Sequence, residues 1–267
     1  MMSGSAAQPA GAVPSPPTAH GDGGGGAAWA WACAAEAAAT GAGGAALGWG
    51  IGWLLHPAVG VAAGAVAGAN GLVSGWRGIY HWRSGRGVRA FLLDSTWATL
   101  PVAGGLVAHL VAVVSRRAGY EASLSHRQGR HVYRSGAQLK RGFALTIGNV
   151  ISGAGDVDNA RRRKLITDHE AVHVGQARCF GPLYPLTYVL WTAFGAVAGC
   201  VLWVRRGRSE PLGKVVESCS YYLNPYEWWA YSRDGLWPPP GLVRGIGWRK
   251  PAVRSFADRR EHRERGH

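Results

Sequence analysis

Three long stretches of this chain are nearly free of charge. Residues 27–75 carry one acid, Glu36, and no base; residues 91–114 carry one acid, Asp94; residues 183–204 carry no charged residue. About 20 consecutive apolar residues suffice to cross the hydrocarbon core of a bilayer. Any fold must therefore either bury these runs or set them in lipid. The net charge is +14, yet only 16% of residues are charged, so the basic groups crowd into the segments between the apolar runs. Arginines in that position meet anionic lipid headgroups. No zinc knuckle, helix-turn-helix or RNP-like signature accompanies the charge, so nucleic acid is not the expected partner.

Within 27–75, His56-Pro57 breaks the run, and two close-packed helices are expected at about 37–55 and 57–75. Gly41, Gly44, Gly48 and Gly52 on the first, and Gly60, Gly64 and Gly68 on the second, recur every three or four residues. Such small-residue stripes let helix backbones touch in lipid, within a chain or between copies of it, so a homo-oligomer through these helices is one expectation. In 91–114, Pro101 and Gly104-Gly105 suggest a bend, Asp94 an interfacial acid paired with Arg89 or Arg116, and His109 a packed histidine. The Trp and Tyr residues gather near the ends of the apolar blocks, as in interfacial belts. Cys33, Cys179, Cys200 and Cys219 are scattered and form no CxxC pair.

The segment that carries chemistry is His169-Glu170-Ala171-Val172-His173, an HExxH motif. Histidines four apart share one helix face, so both rings can reach one Zn²⁺. The glutamate between them stands beside the metal, where it can take a proton from water. Leu165, His169, Val172, Gln176 and Phe180 recur at helical spacing, and Gly181-Pro182 is a stop signal. A catalytic zinc needs a third protein ligand and an open fourth position. The elongated HExxHxxGxxH pattern is excluded, because its glycine and histidine positions hold Gln176 and Cys179. Asn224-Pro225-Tyr226-Glu227 reads as a helix start that places Glu227 on the first turn of a later helix. Asn-x-x-Glu is also nearly a capping box, so Glu227 is either the third ligand or a cap. Cys179 is an alternative ligand, though an unpaired cysteine on an apolar helix usually packs.

On these residues the chain resembles the gluzincin-type zinc metallopeptidases, in which HExxH is followed by a ligating Glu on a later helix. The second helix of that group often reads ExxAD; Glu227 and Ala230 match, and Tyr231 stands where the Asp would be. The resemblance covers about 145–234. It implies a peptidase with His169, His173 and Glu227 on Zn²⁺, Glu170 as general base, and a polypeptide substrate. A metal-bound histidine wants an acceptor on its other nitrogen, and Asp234, Asp168 and Asp156 are the candidates. Tyr226, Tyr231 or an arginine could supply an oxyanion donor.

His131 to Arg134 and Ala144 to Ile151 read as strands. By analogy with zinc peptidases, the second, with Thr146, Ile147, Gly148 and Asn149, would edge the cleft and pair with extended substrate. The expected fold is mainly α with a small β element. Its parts are a disordered tail at 1–26, membrane-embedded helices at 27–115, a minimal zincin-like core at 116–248 that includes the apolar helix 183–204, and a charged tail at 249–267.

Zinc ligands must converge, which creates a conflict. A single crossing by 183–204 would put Glu227 across the bilayer from the two histidines, and the return path carries Lys214 and Glu217. The simplest resolution is a buried or re-entrant helix at 183–204 packed on the site. The basic loops 77–90, 116–164 and 205–215 would then all lie inside, giving a cytoplasm-facing site at the membrane. The rival expectation is a non-catalytic, Gly-rich membrane scaffold with a degenerate HExxH.

Overall fold

The computed structural model describes residues 23–115, 118–140 and 142–235. The expectations for the N-terminal tail up to residue 22, the Trp237 to Pro240 stop and the C-terminal charged tail lie outside these residues. The fold is mainly helical with one small sheet.

Helices α1 (Gly23–Trp53) and α2 (Pro57–Trp76) form the expected hairpin, with α1 starting well before 37. His56 caps α2 by accepting from the Ala58 amide, and Pro57 sits in its first turn, where no amide hydrogen is needed. The glycine stripes face each other inside this hairpin. A Cβ on Gly48 would stand 2.6 Å from the Ala63 carbonyl oxygen, and one on Gly71 2.2 Å from that of Thr40. Backbone contact is thus what these positions require, and Thr40 Oγ1 uses it to reach Gly71 O at 2.7 Å.

The 91–114 block is divided between α3 (Gly85–Ser95) and α4 (Thr99–Val114), which meet at 89°. The bend falls at 96–98 and not at Pro101 or Gly104-Gly105. Pro101 lies in the first turn of α4, where its missing donor costs no helical hydrogen bond. Gly104 and Gly105 instead let α4 lie against Ile147 and Asn149. Asp94 is fully buried and does not pair with Arg89; Arg116 lies outside the described residues. Its carboxylate takes two hydrogen bonds from Arg178, at 2.8 and 2.7 Å, and one from Tyr80. Asn149 Nδ2 also lies 3.3 Å from it. Asp94→Ala would leave the Arg178 charge buried alone, at a cost of about 3–5 kcal/mol; a large drop in melting temperature is expected. His109 is buried, as expected, with Nδ1 2.8 Å from the Tyr133 hydroxyl.

A short helix, α5 (Ala122–Ser125), precedes the sheet of β1 (His131–Val132), β2 (Leu145–Ile147) and β3 (Val150–Ser152). The order is β1-β3-β2, with β3 parallel to β1 and antiparallel to β2. The single strand expected at 144–151 is therefore a hairpin. Gly148, at φ +58°, and Asn149 make its two-residue turn, and Gly148 takes a backbone conformation that other residues adopt at a cost. Only Leu145–Ile147 form an edge. Asn149 points inward and donates to Asn70 Oδ1 at 2.9 Å, so it is no part of a substrate strand. Val132, Ile151, Val157, Ile166 and Val174 pack into the core beneath the sheet.

Residues 160–180 form one helical rod with a wide π-type stretch in its middle. α6 (Ala160–Lys164) runs into the π turn Leu165–Glu170 and then α7 (Ala171–Phe180). The long helix α8 (Leu183–Arg205) follows, and only Tyr184, Gly195 and Gly199 on it are buried. Of the two forms expected, a buried or a re-entrant helix, the buried one is not found: Leu186, Val189, Leu190, Phe194, Val197 and Val201 are exposed. By length and composition α2 and α8 could each cross a membrane, and α3 with α4 adds a third candidate only if the bent pair is one span.

The chain returns along α8 through α9 (Leu212–Glu217) and a second π turn, Ser218–Tyr222, and then enters α10 (Pro225–Asp234). Gly195 and Gly199 permit this return. Cβ atoms there would stand 2.5 Å from Cys219 O and 2.9 Å from Val216 Cα. A helical hairpin thus brings the chain back to the end of α8 where it began, with Lys214 and Glu217 on the return path held in ion pairs with Glu210 and Lys140. Gly195→Leu is expected to destabilise this hairpin by about 1–3 kcal/mol through overpacking. Val201→Leu, on the exposed face, is the control that should melt as wild type. Arg205, Arg206 and Arg208 lie at the far end of α8, about 33 Å from its start at 1.5 Å per residue.

Candidate metal centre

The two histidines come from different helical geometries: His169 is the last residue but one of the π turn, and His173 stands on the first turn of α7. Single wide turns of this kind often mark functional sites, because they re-aim side chains. Here both Nε2 atoms point at one spot, 3.3 Å apart. The Glu227 carboxylate, on the first turn of α10, faces the same spot. Its Oε2 is 3.4 Å from His169 Nε2 and its Oε1 is 3.4 Å from His173 Nε2. All three side chains are buried. Asn224 caps α10 through the Tyr226 amide at 3.0 Å, and its own amide donates to Tyr221 O. Glu227 is thus turned to the histidines and not back onto the cap.

The neighbours settle which nitrogens carry protons. His169 Nδ1 lies 3.2 Å from Asp234 Oδ2, which only accepts when ionised. His173 Nδ1 lies 2.8 Å from Gln176 Oε1, and Gln176 Nε2 donates to Tyr226 O, which fixes the amide the right way round. Neutral rings so held present both Nε2 lone pairs to the centre, alongside a carboxylate. Three acceptors then meet with no donor between them, and Glu227 Oε2 is buried without a hydrogen-bond partner. That set of donor atoms lies within 4.8 Å of one another and could hold a metal ion. Without one, the same field attracts protons. Burial opposes charge on His169, but Asp234, Glu227 and Glu170 outweigh it and push its pKa up to about 10. For Glu227 burial also opposes ionisation, and the adjacent histidines overcome it and hold the carboxyl well below its ordinary range. Metal and protons compete for these lone pairs.

Glu170 lies at the wall of an adjoining cavity of about 590 Å³ and accepts a hydrogen bond from Thr146 Oγ1 on β2 at 2.7 Å. Tyr188 on α8 donates to Glu227 Oε1 at 2.8 Å, and the Tyr184 hydroxyl is 3.3 Å from His173 Nδ1. Gln176, Tyr184, Tyr188 and the Thr146–Glu170 bond have no counterpart in the sequence reading. Gln176 alone left a local trace, as a polar residue three after His173 on the same helix face.

The remaining candidates fall elsewhere. Of the three acids proposed to orient a histidine, Asp234 does so. Asp168 is tied to Lys164 and Thr167, and Asp156 closes a turn onto the Asp158 amide. Tyr226 contributes its carbonyl to Gln176 and points its hydroxyl at Thr187, 2.6 Å away. Tyr231 packs edge-on against the His169 ring with centroids 4.4 Å apart. Neither lines the cavity, whose tyrosines are Tyr184, Tyr188 and Tyr221. Cys179 is exposed and outside the cluster. Asp234→Ala is expected to weaken metal binding about 10–100-fold with the fold intact, as loss of an orienting partner does; chelator competition measures it.

No protein-family model, no curated protein and no solved structure matches this chain.

Proposed function

We propose that the chain is a membrane-associated, zinc-dependent peptidase with a minimal zincin-like site. The observation that carries this reading is the convergence of two imidazole Nε2 atoms, 3.3 Å apart, on a carboxylate whose Oε2 lies 3.4 Å from one and whose Oε1 lies 3.4 Å from the other. Ligands placed tetrahedrally about 2.0–2.1 Å from one zinc stand about 3.3–3.4 Å apart, which is the spacing of the two Nε2 atoms, and the carboxylate beside them supplies an oxygen donor within 4.8 Å of both. Bound there, zinc would polarise the scissile carbonyl and acidify a water molecule.

The chain's own residues supply the rest. His169, His173 and Glu227 hold the ion, and Asp234 and Gln176 keep the rings in the required tautomer. Glu170, steadied by Thr146, takes the proton of the attacking water and returns it to the departing amine. Tyr188 keeps one Glu227 oxygen in place from inside the cavity. The apolar faces of α2 and α8 support placement in a bilayer, with the site level with the first two turns of α8.

The test is hydrolysis of a degenerate peptide pool by purified full-length protein, followed by mass spectrometry. Products that require both zinc and Glu170 are expected. A metal-loaded protein that cleaves nothing in any membrane setting contradicts the reading.

A further inference from the structure

The cavity beside the metal centre has unusual walls. One is the edge strand β2, with Leu145, Thr146 and Ile147. Another is the start of α4 at Pro101, and a third is α8, with Pro185, Val189 and Thr192. The outer faces of both helices are apolar and exposed. Val189, 64% exposed, belongs to the cavity wall and stands in the same exposed row as Leu186, Leu190 and Phe194 on α8. Leu100 and Val107 continue the apolar exposure on α4. The side of the cleft between α4 and α8 is therefore bounded by the surfaces suited to lipid, whereas Lys140 and Glu217, paired at 2.9 Å, mark another part of its rim.

A chain segment drawn from lipid has a particular need. Its backbone donors and acceptors have no water to turn to, and leaving them unpaired is strongly unfavourable. β2 answers that need. It stands at the end of the order β1-β3-β2, so among the described residues its outer edge has no strand partner. An extended segment laid along it would exchange helical hydrogen bonds for strand bonds while its side chains stayed against apolar walls. Thr146 on this strand holds Glu170, so such a segment would pass the proton acceptor and the metal triad.

We propose that the substrate is a polypeptide segment already anchored in a bilayer, cut where it leaves the membrane and admitted sideways between α4 and α8. The proposal rests on the peptidase reading and adds to it the substrate class and the route of entry. At about 1.5 Å per residue, Tyr184 and Tyr188 lie within about 8 Å of the start of the 23-residue α8. Cuts therefore fall near one membrane surface and not at its midplane.

The experiment uses full-length protein in vesicles of phosphatidylethanolamine and phosphatidylglycerol. One degenerate peptide pool is presented free in the buffer, and the same pool is carried at the end of a Leu-rich membrane-spanning peptide. The anchored pool should be cut at least tenfold faster, with products mapping to the residues next to the anchor. Val189→Trp, which narrows the gap, should slow the anchored pool about tenfold relative to the free one; unchanged zinc content checks its fold. Equal rates for the two pools in the unaltered protein overturn lateral entry while leaving the peptidase intact. Equal slowing of both pools by Val189→Trp also counts against it. Failure to cut either pool, with Glu170→Gln indistinguishable from the unaltered protein, overturns the peptidase reading and the proposal with it.

Discussion

Glu227→Ala is expected to release zinc from the purified protein. The loss should exceed the roughly 10–100-fold that removal of an orienting partner costs, because a ligand itself is gone. Two imidazoles would remain, with Nε2 atoms 3.3 Å apart and Nδ1 atoms still held by Asp234 and Gln176. Nothing else among the described residues replaces the carboxylate, since the His169, His173 and Glu227 cluster is the one metal-capable group found there. Glu227→Gln is the closer substitution. It keeps the size and the Tyr188 hydrogen bond but removes the charge, and should also lose most of the affinity. Equilibrium dialysis with zinc analysis distinguishes ligand from cap, because a capping residue would leave metal content unchanged and lower only the melting temperature.

Glu170→Gln should do the opposite: zinc stays and turnover goes. The amide oxygen can still accept from Thr146, so the side chain is expected to keep its place, but it can no longer take a proton. A positioned general base contributes about 10²–10⁴-fold, and a loss of that order in kcat at unchanged zinc stoichiometry is predicted. A variant that retains activity would remove Glu170 from the mechanism.

What the sequence revealed of this site was its local part. HExxH spacing and the Asn-Pro-x-Glu helix start are each set within a few residues, and the structure brings the two halves together, which neither pattern by itself requires. Partners supplied by distant elements left no such trace. Tyr188 reaches Glu227 from a helix that reads only as an uncharged run, and Arg178 reaches Asp94 across 84 positions. The hairpin at 145–152 hid inside a β-branched stretch because one left-handed glycine reverses the chain without altering its composition. Pro101 and Gly104-Gly105 suggested a bend in the wrong place, since proline is harmless in a first turn and both glycines serve close packing. The return of α9 along α8 depends on Gly195 and Gly199, and two glycines in an uncharged run do not name the neighbour they seat.

Zinc absorption spectroscopy on the purified, full-length protein tests the central claim most directly. The account predicts one zinc per chain, bound by two imidazoles and oxygen donors at about 2.0–2.1 Å. Protein that takes up no zinc would contradict it, as would a first shell containing sulfur at about 2.3 Å.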